Sequence, residues 1–310
     1  LPVRVERAQV AAECPQPEPR RKEALAPDQQ HDGNCWFARP REHERWCSRS
    51  GIVGSWKSGE STDYKDGGCT SSRRWRIDCC SLKSGTLYGN WLLELASHGY
   101  IVVADGPPTE AGSDPTGAGM RAGADGKVLV GAIEWLIKEN DRPCSRFYQK
   151  VATTKLAVAG QSCGGLMAMY SAGDKRITTA VIGNSGLFAA DQATYSALHS
   201  PIVFLIGGSS DIAYSNAERD YMNINHVPTF NANMDTGHGG TWNSPNGGEF
   251  GRVGKAWLDW QLKGDMAASK LFSGADCEIL ERMMTHCSSQ RRLAACPRRP
   301  VAAAGSCSRR

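Results

Sequence analysis

From Leu87 onward the chain alternates between two hydrophobic patterns of different period. Short, mostly apolar segments recur at Tyr100–Ala104, Leu156–Ala159, Ile177–Ile182, Pro201–Ile206 and Val227–Phe230. Runs of this length, apolar on both alternating faces, predict strands buried in the middle of a parallel sheet. Between them lie stretches with helical spacing. Asn90 can cap a helix over Trp91–His98, which Gly99 stops. Lys127–Glu139 places Val128, Val130, Ile133, Trp135, Leu136 and Ile137 mostly on one side. Further helices are predicted from Gly165 to about Ala172, over Ser215–Met222 and over Glu249–Leu262. Strands alternating with helices give the fold class: α/β, with a mostly parallel sheet covered by helices on both faces.

The two flanks break this pattern. Residues 1–80 contain no long apolar run, so N-terminal strands are not recognisable there. They carry four of the nine tryptophans and six of the twelve cysteines. Residues 282–310 are rich in Arg, Ala and Cys and have no periodicity. The chain therefore divides into an atypical extension (1–80), an α/β domain (81–281) and a basic tail (282–310). Three readings of the flanks stay open: a disordered extension, a disulfide-stapled one, or the product of a disrupted coding sequence.

Charge follows the same division, at +2 for residues 1–80, −5 for 81–281 and +7 for 282–310. The α/β part is mildly acidic, and the basic surplus of the tail reads as a solvated end, so no nucleic-acid partner is expected. No run of 18 apolar residues occurs, which excludes a membrane-spanning helix from the expectation. The N-terminus shows no basic end followed by an apolar stretch, so no signal peptide is visible. An even, high cysteine count suits an oxidising compartment, and an extracellular location is expected. No Cys or His spacing suggests zinc, and no metal or cofactor is expected.

The chemistry enters at Gly160-Gln161-Ser162-Cys163-Gly164, a G-x-S-x-G sequence between an apolar run and a helix-compatible stretch. A strand, a turn too tight for flanking side chains and a helix together make a nucleophile elbow, with Ser162 held out on a strained backbone. A serine hydroxyl needs a base within hydrogen-bond reach and a third group to orient that base. On such sheets the partners follow in the order Ser, acid, His. Asp211 comes just past the run ending at Ile206, and His238 sits between glycines after the next run. Asp211 would otherwise cap the helix near Ser215, and Asp235 is the competing acid. His98 and His226 read as structural, and Cys163 as a small buried residue rather than a nucleophile.

The backbone N–H of Cys163 would be one donor to an oxyanion. The second donor should come from a loop upstream of Trp91, with Gly68 in Asp66–Cys69 as the leading candidate and Cys80–Leu82 as the other.

From Ser81 to Ile279 these residues resemble the α/β-hydrolase superfamily. The nearest branch holds chlorophyllases, dienelactone-hydrolase-like proteins and polyester hydrolases. The resemblance rests on Gly85–Leu92, Ala96–Tyr100, Ala159–Gly165, Gly208–Tyr214 and Gly237–Thr241. It implies a cofactor-free serine esterase with Ser162, His238 and Asp211 as its triad, acting on small or polymeric esters through an acyl-enzyme. Relatives place an apolar strand and a Gly-Gly-Cys oxyanion loop just before the Gly-Thr segment, where this chain has Ser72–Cys80. Loss of that donor would cost ~10²–10³ in rate. Two alternatives follow, a catalytically dead relative with an incomplete oxyanion hole or an acyltransferase using the same triad.

Overall fold

The computed structural model describes residues 29–32, 35–38, 49–56, 88–105, 125–273 and 287–290. Among these described residues the frame is a sheet of nine strands: β1 (Gln29–Asp32), β2 (Cys35–Ala38), β3 (Arg49–Trp56), β4 (Ile101–Asp105), β5 (Val151–Gln161), β6 (Ile177–Gly183), β7 (Ile202–Ile206), β8 (Thr229–Asn233) and β9 (Cys287–Gln290). Their order is β1-β2-β4-β3-β5-β6-β7-β8-β9. From β4 through β8 every neighbouring pair is parallel. Antiparallel pairing is confined to β1/β2, β2/β4 and β8/β9 at the two margins.

The helices are α1 (Gly89–Ser97), α2 (Lys127–Asp141), α3 (Cys163–Ser171), α4 (Gln192–Ala197), α5 (Tyr214–Asn223), α6 (Gly248–Leu258) and α7 (Met266–Ser269). The strands feed two separate cores, because successive side chains point to opposite faces. Ile101 and Val103, Leu156 and Val158, and Ile202, Phe204 and Ile206 pack on the face covered by α2, α3 and α5. Val102, Ala157, Ala159, Val203 and Leu205 face the other way, against Trp91 of α1 and Phe250 and Trp257 of α6. The expected α/β class and parallel sheet with helices on both faces are therefore present.

Residues 29–56, where the apolar pattern predicts no strand, supply β1, β2 and β3. β3 lies between β4 and β5 and pairs with both, so this segment reaches the middle of the sheet. Its sequence, Arg-Ser-Gly-Ile-Val-Gly-Ser-Trp, holds only two consecutive aliphatic residues between glycines, too short a run to read as a buried strand. β9 likewise comes from the basic tail and pairs with β8. The long helix predicted over Glu249–Leu262 is α6 continued by a π-helical turn, Asp259–Lys263. α4, capped by the Asp191 carboxylate accepting from the N–H groups of Ala193 and Thr194, had no apolar signature to reveal it. Among the described residues no helix is long and apolar enough to cross a membrane.

Candidate active site

Ser162 joins the end of β5 to the start of α3 with φ 54° and ψ −119°, a positive-φ backbone that serine rarely adopts. Close packing around it enforces the turn. A Cβ on Gly160 would sit 2.1 Å from the carbonyl carbon of Gly164, and one on Gly165 would sit 2.3 Å from the Ser185 Cβ. Gly160 of the motif is thus required by contact between strand and helix, and Gly165, just past the motif, by the approach of Ser185. The Ser185 hydroxyl also donates to the Ser162 carbonyl at 2.6 Å.

Three side chains from different elements meet at this turn. The Ser162 hydroxyl lies 2.9 Å from His238 Nε2, and His238 Nδ1 lies 2.7 Å from Asp211 Oδ1. A carboxylate can only accept, so Nδ1 carries the proton and Nε2 is left to accept from the serine. Asp211 follows β7 and His238 follows β8, both at the C-terminal ends of parallel strands, where open α/β sheets place their sites. The imidazole keeps 18% of its surface exposed, while the carboxylate has none. The structure thus brings Ser162, His238 and Asp211 together in one hydrogen-bonded series.

Asp211 is ringed by donors. Its Oδ1 also accepts from the Ala213 N–H at 2.9 Å. Its Oδ2 accepts from the Gly207 N–H at 3.0 Å and from Asn184 Nδ2 at 2.8 Å. Burial alone would raise its pKa, but the hydrogen bonds from His238, Ala213, Asn184 and Gly207 together outweigh burial and hold it below the usual aspartate value. The group stays ionised, as an imidazole-orienting carboxylate must. Asp235, the competing acid, accepts instead from the Ser210 hydroxyl at 3.1 Å. His98 and His226 stand apart from the site, bound to the Glu94 and Leu198 carbonyls.

Of the residues expected to donate to an oxyanion, Cys163 opens α3, and N–H groups in a first helical turn point out along the axis. Its side chain is buried and its sulfur is in a disulfide, which rules out a thiol nucleophile. Gly68 and the alternative Cys80–Leu82 lie outside the described residues. Trp56, the last residue of β3, pairs with Gln161, the residue before Ser162.

Two site residues escaped the sequence reading. Gln161 is buried and its Nε2 donates to the His238 carbonyl at 2.8 Å. Asn184, one residue past β6, is fully buried and touches both Asp211 and the histidine loop. Their only advance signals were position: the variable residue before the nucleophile, and the C-terminal end of a parallel strand.

No curated protein matches the chain. The model of the PET hydrolase-like family matches residues 85–297, from just before α1 to beyond β9, and by that match the chain belongs to this family.

Proposed function

We propose that this protein hydrolyses carboxylic esters, small or polymeric, through a Ser162–His238–Asp211 triad and an acyl-enzyme intermediate. Family membership supports a hydrolase acting on esters. The observation that carries the mechanism is the hydrogen-bonded series from Ser162 Oγ through His238 to Asp211, at 2.9 and 2.7 Å. In the first half-reaction Oγ attacks the acyl carbon while Nε2 takes the hydroxyl proton. The imidazolium that forms is stabilised by the ionised Asp211. The oxyanion of the tetrahedral intermediate takes a hydrogen bond from the Cys163 N–H and one from the upstream loop for which Gly68 is the candidate. Collapse expels the alcohol, which leaves with the proton from Nε2. Water then repeats the sequence on the acyl-enzyme, with His238 again as base, and releases the acid.

We place the protein outside the cell. The disulfide-bonded state of Cys144 and Cys163 supports an oxidising compartment.

The test is turnover of short p-nitrophenyl esters by the purified chain beside Ser162→Ala. Wild-type turnover with a loss of ~10⁴-fold or more in the variant is expected. Folded wild-type protein that turns over none of these esters, or a variant that keeps its activity, would overturn the proposal.

A further inference from the structure

Asn184 stands one residue beyond β6 at φ 43°, a left-handed conformation that asparagine tolerates better than most residues. Its backbone N–H continues the sheet by donating to the Leu205 carbonyl at 2.8 Å. The side chain is fully buried and reaches the two loops that carry Asp211 and His238. Nδ2 donates to Asp211 Oδ2 at 2.8 Å and to the Gly237 carbonyl at 3.1 Å. Oδ1 accepts from the Trp242 indole N–H at 2.8 Å. An indole N–H can only donate and a carboxylate can only accept, so the amide has one permitted orientation. The histidine loop bends over this amide at Gly240, where a Cβ would sit 2.8 Å from Asn184 Oδ1.

We infer that Asn184 is a positioning residue for the Ser162–His238–Asp211 series, fixing the carboxylate oxygen that His238 does not use and the loop on both sides of His238. This rests on the esterase reading for its kinetic consequences, but not for its geometry. Gly237 precedes the histidine, and Trp242 follows it by four residues within the aromatic core against Trp91 and Phe250. Asn184 thus bonds at once to the acid, to the residue before the base and to the anchor after it. Gln161 complements it by holding the His238 carbonyl.

Among the described residues, few titratable groups surround Asn184. Asp211 faces it directly and His238 lies behind Asp211. Asp235 is turned to Ser210. The Asp220–Arg219 pair of α5 engages the backbone of Leu187, three residues further along. The carboxylate introduced by Asn184→Asp would therefore interact first with Asp211. Two carboxylates in contact share one proton and cannot both ionise near neutrality. While the proton is shared, the new carboxyl group donates to Asp211 in place of the lost amide; when the proton leaves, the two charges repel.

The experiment compares Asn184→Gly, which suits the positive φ, with the near-isosteric Asn184→Asp. It follows kcat and KM across pH and the downfield imidazole proton resonance of the His238–Asp211 bond. In Asn184→Gly we expect kcat to fall about 10–100-fold with KM little changed and the resonance to weaken or vanish. In Asn184→Asp activity and resonance should be retained on the acid side and lost as pH rises, a descending limb that wild type lacks. Wild-type kcat and resonance in Asn184→Gly, or no new limb in Asn184→Asp, would overturn the inference. If Asn184→Gly does not fold, Asn184→Asp alone decides. The resonance needs no substrate, so a wild type inactive on esters would sink the proposed function while leaving this inference to its own result.

Discussion

At the scale of single residues, the serine turn is held by the absence of side chains as much as by their presence. Gly160 has no space for a methyl group, because the first turn of α3 lies against it. A methyl there must push backbone against backbone, which no rotamer change can relieve. Gly160→Ala should lower the melting temperature and, on the proposed mechanism, cut ester turnover by about 10²-fold, since displacing Ser162 by an ångström is enough for that. Gly131 provides the opposite case. It lies on the exposed side of α2 with nothing within 4 Å of the place a methyl would take, so only helix propensity is at stake. Gly131→Ala should stabilise by ~1 kcal/mol and leave turnover unchanged. Thermal denaturation and esterase assays on the two variants check both signs. A Gly160→Ala protein with wild-type turnover would show that the elbow does not depend on this contact.

At the scale of elements, the junction of α6 with its π-helical turn is tied to the start of β4 by one acid. Asp259 accepts from the Tyr100 hydroxyl at 2.8 Å and from Lys255 and Lys263 at 2.7 Å each. Lys263 also sits 4.1 Å from the centre of the Tyr100 ring. Burial would raise the Asp259 pKa, but the bonds from Lys255, Lys263 and Tyr100 outweigh it and the net shift is downward. A depressed folded value means stability that is present above the ordinary aspartate pKa of ~3.9 and lost as pH falls through the folded value. Asp259→Asn should therefore cost about 1–3 kcal/mol at neutral pH, the lower end reflecting the partial exposure of the two lysines. It should also flatten the decline of melting temperature below pH ~4. An acid limb identical to wild type would assign that decline to other carboxylates, Asp211 among them. Elements were legible where apolar residues decide, as in β4 and β7. They were illegible where polar contacts decide. β8 extends through Asn231 and Asn233 because Glu218 and the Gly208 N–H engage their amides. Asn184 and Gln161 were missed for the same reason, since a buried amide leaves no periodic trace in sequence. Ser162, Asp211 and His238 could be nominated together because a G-x-S-x-G turn has fixed spacing and the acid and histidine follow it in a fixed order.

At the scale of the whole molecule, the sheet draws strands from all three segments that composition separates. β3 decides what this means for folding. Gly51–Gly54 pair with Ile101–Ala104 of β4 on one side, and with Leu156–Ala159 of β5 on the other. Without β3, the strand that leads into Ser162 loses its neighbour along its whole inner length, and β4 loses its parallel partner. Both would expose unpaired backbone N–H and C=O groups in the middle of the sheet, where no side chain can replace a ladder. β9 occupies a different position, covering only the outer edge of β8. A chain starting at residue 81 should accordingly yield no cooperative unfolding transition and no esterase activity. A chain ending at residue 290, which drops the last basic residues and keeps β9, should retain both. Circular dichroism melts and p-nitrophenyl ester turnover of the two truncations distinguish the cases. A folded, active 81–310 chain would mean that β4 and β5 can pair without β3, and that the first eighty residues are an addition to the hydrolase fold rather than part of its sheet.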